Sequence, residues 1–177
     1  MKFKIYERNI DVAPFMKLIR DNEKDWDNIN NIGMQGKTDV TGCIPLTIGI
    51  KYDPSEDIDD VENQVNTPFY KTYEPLVQAI RERGFANHNR MGIFRLNPEQ
   101  QNGMHTETGA YYENKNRWHL SLSGFYVLNV DGTYYDIVPG MFFWFDNSLP
   151  HSAVNVGKNV RYSLVFDADK SIEYKKQ

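Results

Sequence analysis

Apolar residues recur at helical spacing in two segments of the chain, and both lie in its first half. Positions 14–19 open on a proline, which suits the first turn of a helix, and then place apolar residues on one helical face. Positions 67–84 open on Thr67 and Pro68, which suit an N-cap and a first helical residue, and they close on a glycine, a common helix end. Pro75 lies inside this second segment and predicts a kink or a split.

Strand-like patterns fill most of the remaining sequence. Positions 44–50 alternate apolar and polar residues between the two helical segments. Short apolar and aromatic runs separated by turn residues follow at 91–96, 118–122, 125–129, 133–138, 141–145 and 160–166. Asp131 and Gly132 form a strong two-residue hairpin signal. The pattern predicts an α+β, mainly β fold with a sandwich or barrel of jelly-roll type, whose mouth is a natural place for a small ligand or metal.

Composition narrows the class of protein. The 177 residues are 40% apolar and 25% charged, which is typical of a globular chain of about one domain. We therefore expect a single domain over 1–177, with a helical, substrate-shaping part over about 1–89 and a β core over about 90–168. The run 53–62 is rich in acidic residues and is interpreted as a solvated loop rather than a metal site.

Charge and cysteine content bear on partners and location. The net charge of −4 disfavours binding to nucleic-acid phosphates, and no apolar run approaches the ~18 residues that a membrane span needs. Cys43 is the single cysteine of the sequence, so no intrachain disulfide can form. We expect a cytoplasmic protein that binds neither nucleic acid nor membranes and acts on a small molecule. The sequence carries no signal for an oligomeric state.

Three side chains in the strand-rich half form a candidate metal site. His105 and Glu107 are two residues apart, and in an extended segment such residues point to the same face. His151, directly after the apolar run 141–145, would complete a set of two imidazoles and one carboxylate, the arrangement of non-haem Fe(II) oxygenases. The alternative for the His-x-Glu tripeptide alone is an exposed histidine beside an exposed glutamate.

Two arginines and one further histidine accompany these residues. Arg161 lies in an apolar, strand-like run, where its charge is costly to bury unless an anion meets it. A guanidinium holds a carboxylate through two hydrogen bonds, so Arg161 could hold the far carboxylate of a dicarboxylic co-substrate; the alternative is an edge-strand arginine in solvent. Arg117 and His119 alternate with apolar neighbours and share a face. His119 is either part of a second anion contact or a core histidine bonded to a backbone carbonyl.

These motifs, in this order, resemble the aspartyl/asparaginyl β-hydroxylase family of 2-oxoglutarate- and Fe(II)-dependent oxygenases. The resemblance covers roughly 90–167 and is carried by His-Thr-Glu at 105–107, Arg-Trp-His-Leu at 117–120, the stretch 145–153 and Arg161. Within the family, the stretch 149–153 and the spacing from the first histidine to Arg117 most resemble the small bacterial enzymes that hydroxylate free L-proline in cis.

The resemblance implies a cupin-like double-stranded β-helix with N-terminal helices packed outside. It implies Fe(II) on His105 and His151, 2-oxoglutarate held at its distal carboxylate by Arg161, and O2 as the oxidant. Arg117 and His119 would line the pocket near the other end of 2-oxoglutarate. Family members carry aspartate where this sequence has Glu107, or no acidic ligand, so this residue either coordinates iron or orients a metal-bound water.

The implied activity is hydroxylation of an amino acid, free or as an Asp, Asn or Pro residue of a peptide, with succinate and CO2 as co-products. Two other functions stay open. One is a non-catalytic cupin-like barrel that binds a metal or small molecule, and the other is a cupin-like isomerase that uses its metal only as a Lewis acid. Arg161, ten residues after His151, favours the oxygenase because neither alternative needs a co-substrate anchor.

Overall fold

The computed structural model describes residues 1–26 and 41–176, and helices occupy a small part of them. The helices are α1 (Ala13–Asp21), α2 (Phe69–Thr72), α3 (Glu74–Glu82) and α4 (Ala110–Glu113). The second predicted helix is split: α2 ends before Tyr73, and Pro75 occupies the first turn of α3. The hydroxyl of Thr67 accepts a hydrogen bond from the backbone N–H of Phe69 (3.2 Å), as an N-terminal capping residue does.

Eleven strands are found in the described residues, and they form two antiparallel sheets. They are β1 (Phe3–Glu7), β2 (Thr41–Gly49), β3 (Gln64–Asn66), β4 (His88–Leu96), β5 (Gln101–His105), β6 (Lys115–Ser123), β7 (Tyr126–Val130), β8 (Thr133–Ile137), β9 (Phe142–Phe145), β10 (His151–Asn155) and β11 (Arg161–Asp169). The large sheet has the order β1-β9-β6-β11-β4-β2-β3, and the small sheet has the order β5-β10-β7-β8. All the predicted strands are present, whereas β1, β3, β5 and β10 were not predicted.

The helices cover the outer face of the large sheet. Their apolar side chains, such as Ile19 and Ile80, form one cluster with side chains that alternate on the sheet strands, such as Ile93 and Leu120. Phe85, which follows α3, is fully buried there, with its ring 4.6–5.9 Å from three aromatic rings of the sheet. The other face of these strands lines the interior between the two sheets.

A second apolar cluster lies between the two sheets and closes part of the interior. It contains the β7–β8 hairpin, whose turn residues Asp131 and Gly132 both have positive φ (48° and 77°), as the predicted two-residue turn requires. The structure thus confirms a mainly β, double-stranded β-helix of the jelly-roll type with helices outside.

The first 89 residues contribute strands as well as helices, because β1, β2 and β3 join the large sheet. The assignment of 1–177 to a single domain stays a prediction. Within the described ranges, every helix is too short or too polar to cross a lipid bilayer.

Candidate metal centre and anion chamber

The two predicted histidine ligands lie side by side on neighbouring strands of the small sheet. His105 ends β5 and His151 begins β10, and the antiparallel register places the two residues directly opposite each other. Their ring centroids are 4.2 Å apart. Directly opposed residues on one sheet face have neighbouring side chains, so the register itself brings together histidines that are far apart in sequence.

Backbone carbonyls orient both rings. The Nδ1 of His105 lies 2.7 Å from the carbonyl oxygen of Gly103, and the Nδ1 of His151 lies 2.9 Å from that of Leu149. Because a carbonyl only accepts, each Nδ1 carries a proton, which leaves Nε2 as the nitrogen whose lone pair a neutral ring offers to a metal. Burial lowers the pKa of His151, which favours the neutral ring that a metal requires.

Glu107 brings a carboxylate to the same point. Its backbone N–H donates to the carbonyl of Asn147 (2.9 Å), which holds the segment after β5 against the segment before β10. One carboxylate oxygen lies 3.9 Å from Nε2 of His105, and the candidate ligand atoms of His105, Glu107 and His151 all lie within 4.8 Å of one another. Two oriented imidazoles and one carboxylate fit a divalent first-row metal with positions left open.

Arg117 is bound to protein carboxylates. Its guanidinium donates to Glu107, to the buried Asp167 (Nε to Oδ1, 2.8 Å) and to the hydroxyl of Tyr112 (3.0 Å). The residue lines the same chamber as His151, and its donors hold the Glu107 carboxylate. Asp167 was not singled out from the sequence, although an acid directly after the apolar run 160–166 is a signal that could have found it.

Arg161 is buried between the sheets without a carboxylate partner among the residues in 1–26 and 41–176. Its Nε donates to the hydroxyl of Ser163 (3.1 Å), and its guanidinium carbon lies 4.2 Å from the centre of the Tyr126 ring. Neither contact supplies a negative charge. A buried, uncompensated cation costs several kcal/mol, so this position suits an anionic ligand. Ser163 and Tyr126 were not singled out from the sequence.

His119 lies on the interior face of β6, where the alternation with its neighbours predicts it. The ring stacks between Phe143 and Phe145, with centroids 5.0 Å from each, and neither nitrogen has a hydrogen-bond partner in the part of the chain that the structure describes. Burial and then the nearby charge of Arg161 hold its pKa well below the usual range, so the ring is neutral. A neutral imidazole with both nitrogens unpaired can donate one hydrogen bond to a ligand and accept another.

These side chains surround one chamber between the sheets, of about 100 Å³. Its lining includes His151, Arg161, His119 and Arg117, with Phe94 and Val165 at one side. The chamber therefore combines a metal-ligating imidazole, a buried cation and a neutral donor. Such a set can bind an anionic ligand close to a metal. The roles assigned to these side chains from the sequence stay predictions.

No family model matches the chain, and no curated protein matches it. Among solved structures, the chain is similar to the cupin domain of Cnp3 from Schizosaccharomyces pombe (13% identity, 46% of this chain and 56% of that chain, TM-score 0.41). It is similar to a protein described as a predicted oxalate decarboxylase from Thermotoga maritima (20% identity, 52% and 72% covered, TM-score 0.40). A third similar structure is a cupin 2 conserved barrel domain protein from Salinispora arenicola (15% identity, 46% and 64% covered, TM-score 0.38). The chain thus spans between 56% and 72% of the length of these three proteins.

Proposed function

We propose that the protein is a 2-oxoglutarate- and Fe(II)-dependent dioxygenase of the aspartyl/asparaginyl β-hydroxylase type. It would hydroxylate an amino acid, free or as an Asp, Asn or Pro residue of a peptide, with succinate and CO2 as co-products. The observation that carries the proposal is the buried Arg161, which has no described carboxylate partner and shares a chamber with His151. A metal-binding barrel alone does not require that cation.

In this proposal His105, Glu107 and His151 hold the iron. When bound, Fe(II) with 2-oxoglutarate and O2 supplies the oxidising step that inserts one oxygen atom into a C–H bond of the substrate. The carbonyl groups that accept from each Nδ1 keep both Nε2 atoms aimed at the ion. Arg117, itself fixed by Asp167, keeps the Glu107 carboxylate at the same point.

The chain's own residues would bind and orient the co-substrate. Arg161 receives the distal carboxylate of 2-oxoglutarate, and its contacts with Ser163 and Tyr126 fix the guanidinium before the ligand arrives. His119 offers a neutral N–H to a carboxylate or carbonyl oxygen without adding charge. The phenyl rings on both sides of His119 keep water out of the chamber and strengthen each of these polar contacts.

The test is a screen of amino acids and short peptides for substrate-stimulated succinate release with Fe(II), 2-oxoglutarate and O2. The proposal expects succinate from at least one substrate, together with a product heavier by one oxygen atom. The His105→Ala variant is the matched control and should release no succinate. A wild-type chain that binds metal but releases no succinate, and gives no visible absorption band with Fe(II) and 2-oxoglutarate under nitrogen, would point to the non-catalytic barrel or the isomerase.

A further inference from the structure

A second, larger hollow adjoins the metal chamber on the concave face of the large sheet. We call it the lateral cleft and define it by the inward-facing side chains of β2 and β4 with the residues that follow β2; its volume is about 690 Å³. Strand alternation begins it: Cys43 and Pro45 face the cleft, whereas Ile44 and Leu46 pack against the helices. An irregularity in the pairing of β2 with β4 between Pro45 and Thr47 then breaks the alternation, and Ile48 beyond it lines the cleft.

The cleft and the chamber share three lining residues, Phe94, Arg117 and Val165. Arg117 also holds Glu107, so the boundary between the two hollows is part of the metal group's own support. A substrate seated in the lateral cleft would therefore have the metal group directly beyond this boundary.

The size of the lateral cleft indicates a ligand larger than a free amino acid. Its volume falls in the range of about 300–1,000 Å³ in which pockets bury most of a drug-sized molecule. It equals the space of more than 20 water molecules at ~30 Å³ each, so a free amino acid would leave most of it filled with water.

The walls are mainly apolar. Ile48, Ile50 and Phe94 contribute hydrocarbon or aromatic surface. A Cβ at Gly92 on β4 would lie 2.8 Å from the Cys43 sulfur and 3.2 Å from the Phe94 ring, so the close packing of these two side chains requires glycine there. Burial raises the pKa of the Cys43 thiol to about 12, so that part of the wall stays uncharged. The body of the ligand should therefore be apolar.

The charges on the lining favour an anion at the rim. Lys51 is exposed and has no ion pair within the described ranges, whereas Arg117 and the acidic lining residue Asp167 neutralise each other. Arg90 adds a second cation, held by the carbonyl oxygens of Ile58 and Val61 with Asp59 at 3.9 Å.

The neighbouring acidic loop does not line the cleft apart from Ile58. Its carboxylates accept hydrogen bonds from the loop itself: Asp53 from Ser55, Glu56 from the N–H of Tyr52, and Asp57 from the N–H of Asp59. Within the described ranges, none of the ion pairs joins one of these carboxylates to Lys51.

We propose that the lateral cleft is the substrate compartment and that it takes an apolar carboxylic acid larger than a free amino acid, such as a short apolar peptide with a free C-terminus. The carboxylate would pair with Lys51 at the rim, and the apolar body would cover Ile48, Ile50 and Phe94. The assignment as a substrate compartment rests on the proposed function, whereas the binding chemistry of the cleft does not.

The test is isothermal titration of the metal-free protein with leucine, dileucine and trileucine, each as the free acid and as the C-terminal amide. We expect no measurable binding of leucine, binding that tightens with length, and at least tenfold weaker binding of trileucine amide. Decanoate serves as a second apolar acid. If decanoate binds more weakly than trileucine, the result supports a peptide as the ligand; if decanoate binds more tightly, the ligand is a fatty acid and the peptide assignment is overturned.

Two variants locate the binding. Ile48→Trp fills the cleft and should abolish trileucine binding, and Lys51→Glu, at an exposed rim position that cannot disturb the core, should remove the preference for the acid over the amide. Lys158→Glu, exposed on the turn between β10 and β11, is the matched charge control and should bind as the wild type does. Absence of trileucine binding, or binding that Lys51→Glu leaves unchanged, would overturn the inference. Binding without any succinate release would overturn the proposed oxygenase and keep the cleft as a binding site.

Discussion

Arg161 offers the sharpest test, because two roles predict opposite results for its replacement by methionine. If Arg161 mainly stabilises the fold, its replacement should unfold the barrel. If Arg161 mainly binds an anionic ligand, its replacement should leave the fold intact and weaken 2-oxoglutarate binding. Methionine keeps the length and apolar stem of the side chain and removes the charge. Arg161→Lys keeps the charge without the planar fork and should give an intermediate affinity.

The magnitudes follow from the contacts of the guanidinium. The hydrogen bond to Ser163 and the contact with the Tyr126 ring contribute about 1 kcal/mol each to stability. Burial of the charge without a counter-ion costs several kcal/mol. We therefore expect the free energy of unfolding of Arg161→Met to fall by less than about 1 kcal/mol or to rise.

Binding should respond strongly. A charge-assisted hydrogen bond to a carboxylate contributes about 1.5–3 kcal/mol. At ~1.4 kcal/mol for each factor of ten, the dissociation constant of 2-oxoglutarate should rise by roughly 10- to 150-fold. Titration of the anaerobic Fe(II)-loaded protein measures the affinity, and urea denaturation of the metal-free protein measures stability. Arg20→Met, exposed on α1, is the control. A loss of more than about 3 kcal/mol of stability with unchanged 2-oxoglutarate affinity would refute the reasoning.

Three further results are expected. His105→Ala and His151→Ala should each weaken Co(II) binding by more than about 100-fold. Glu107→Gln tests whether this carboxylate coordinates the metal or orients a metal-bound water, since a loss of Co(II) affinity of only ~10–100-fold would assign it the orienting role. His119→Phe should raise the free energy of unfolding of the metal-free protein by about 1 kcal/mol or more, because it removes two unpaired buried nitrogens. Because the pKa of His119 is depressed in the folded state, stability should fall as pH drops below the unfolded value of about 6.5, and this variant should flatten that fall. Phe85→Ala should cost about 3–5 kcal/mol at the centre of the outer core, measured by urea denaturation.

Local signals in the sequence predicted the elements that stabilise themselves. The split at Pro75 and the hairpin at Asp131-Gly132 depend on the allowed φ of a few neighbouring residues, so they could be predicted without the rest of the chain. The strands β3 and β5 were missed because their residues are partly polar and largely exposed, and the half-buried β1 and the more buried β10 were missed because each mixes polar with apolar side chains. Such strands form through hydrogen bonds to a partner strand, and the partner is chosen by the tertiary fold.

The candidate site shows the same division. Residue type and spacing selected His105, Glu107 and His151 as a group, and the structure brings their ligand atoms together. The family resemblance implies that Arg117 lines the pocket near 2-oxoglutarate, and that role stays a prediction. In the fold, the donors of Arg117 face Glu107 and Asp167. That pairing depends on the register of β6 and β11, which sets Arg117 opposite an acid fifty positions away, and no local pattern encodes a register between distant strands.

The sequence by itself determined which chemistry is present: two imidazoles, a carboxylate and a guanidinium in a strand-rich half with an apolar inner face. Only the tertiary structure decided which of these groups are free to bind. The pairing of β5 with β10 brings the two histidines together, and the pairing of β6 with β11 places Arg117 opposite Asp167. Arg161 is buried without a described acid beside it, so its guanidinium can bind an anionic ligand. The physical reason is that a charge's partners are fixed by strand register and by exclusion of water, and both belong to the folded chain as a whole.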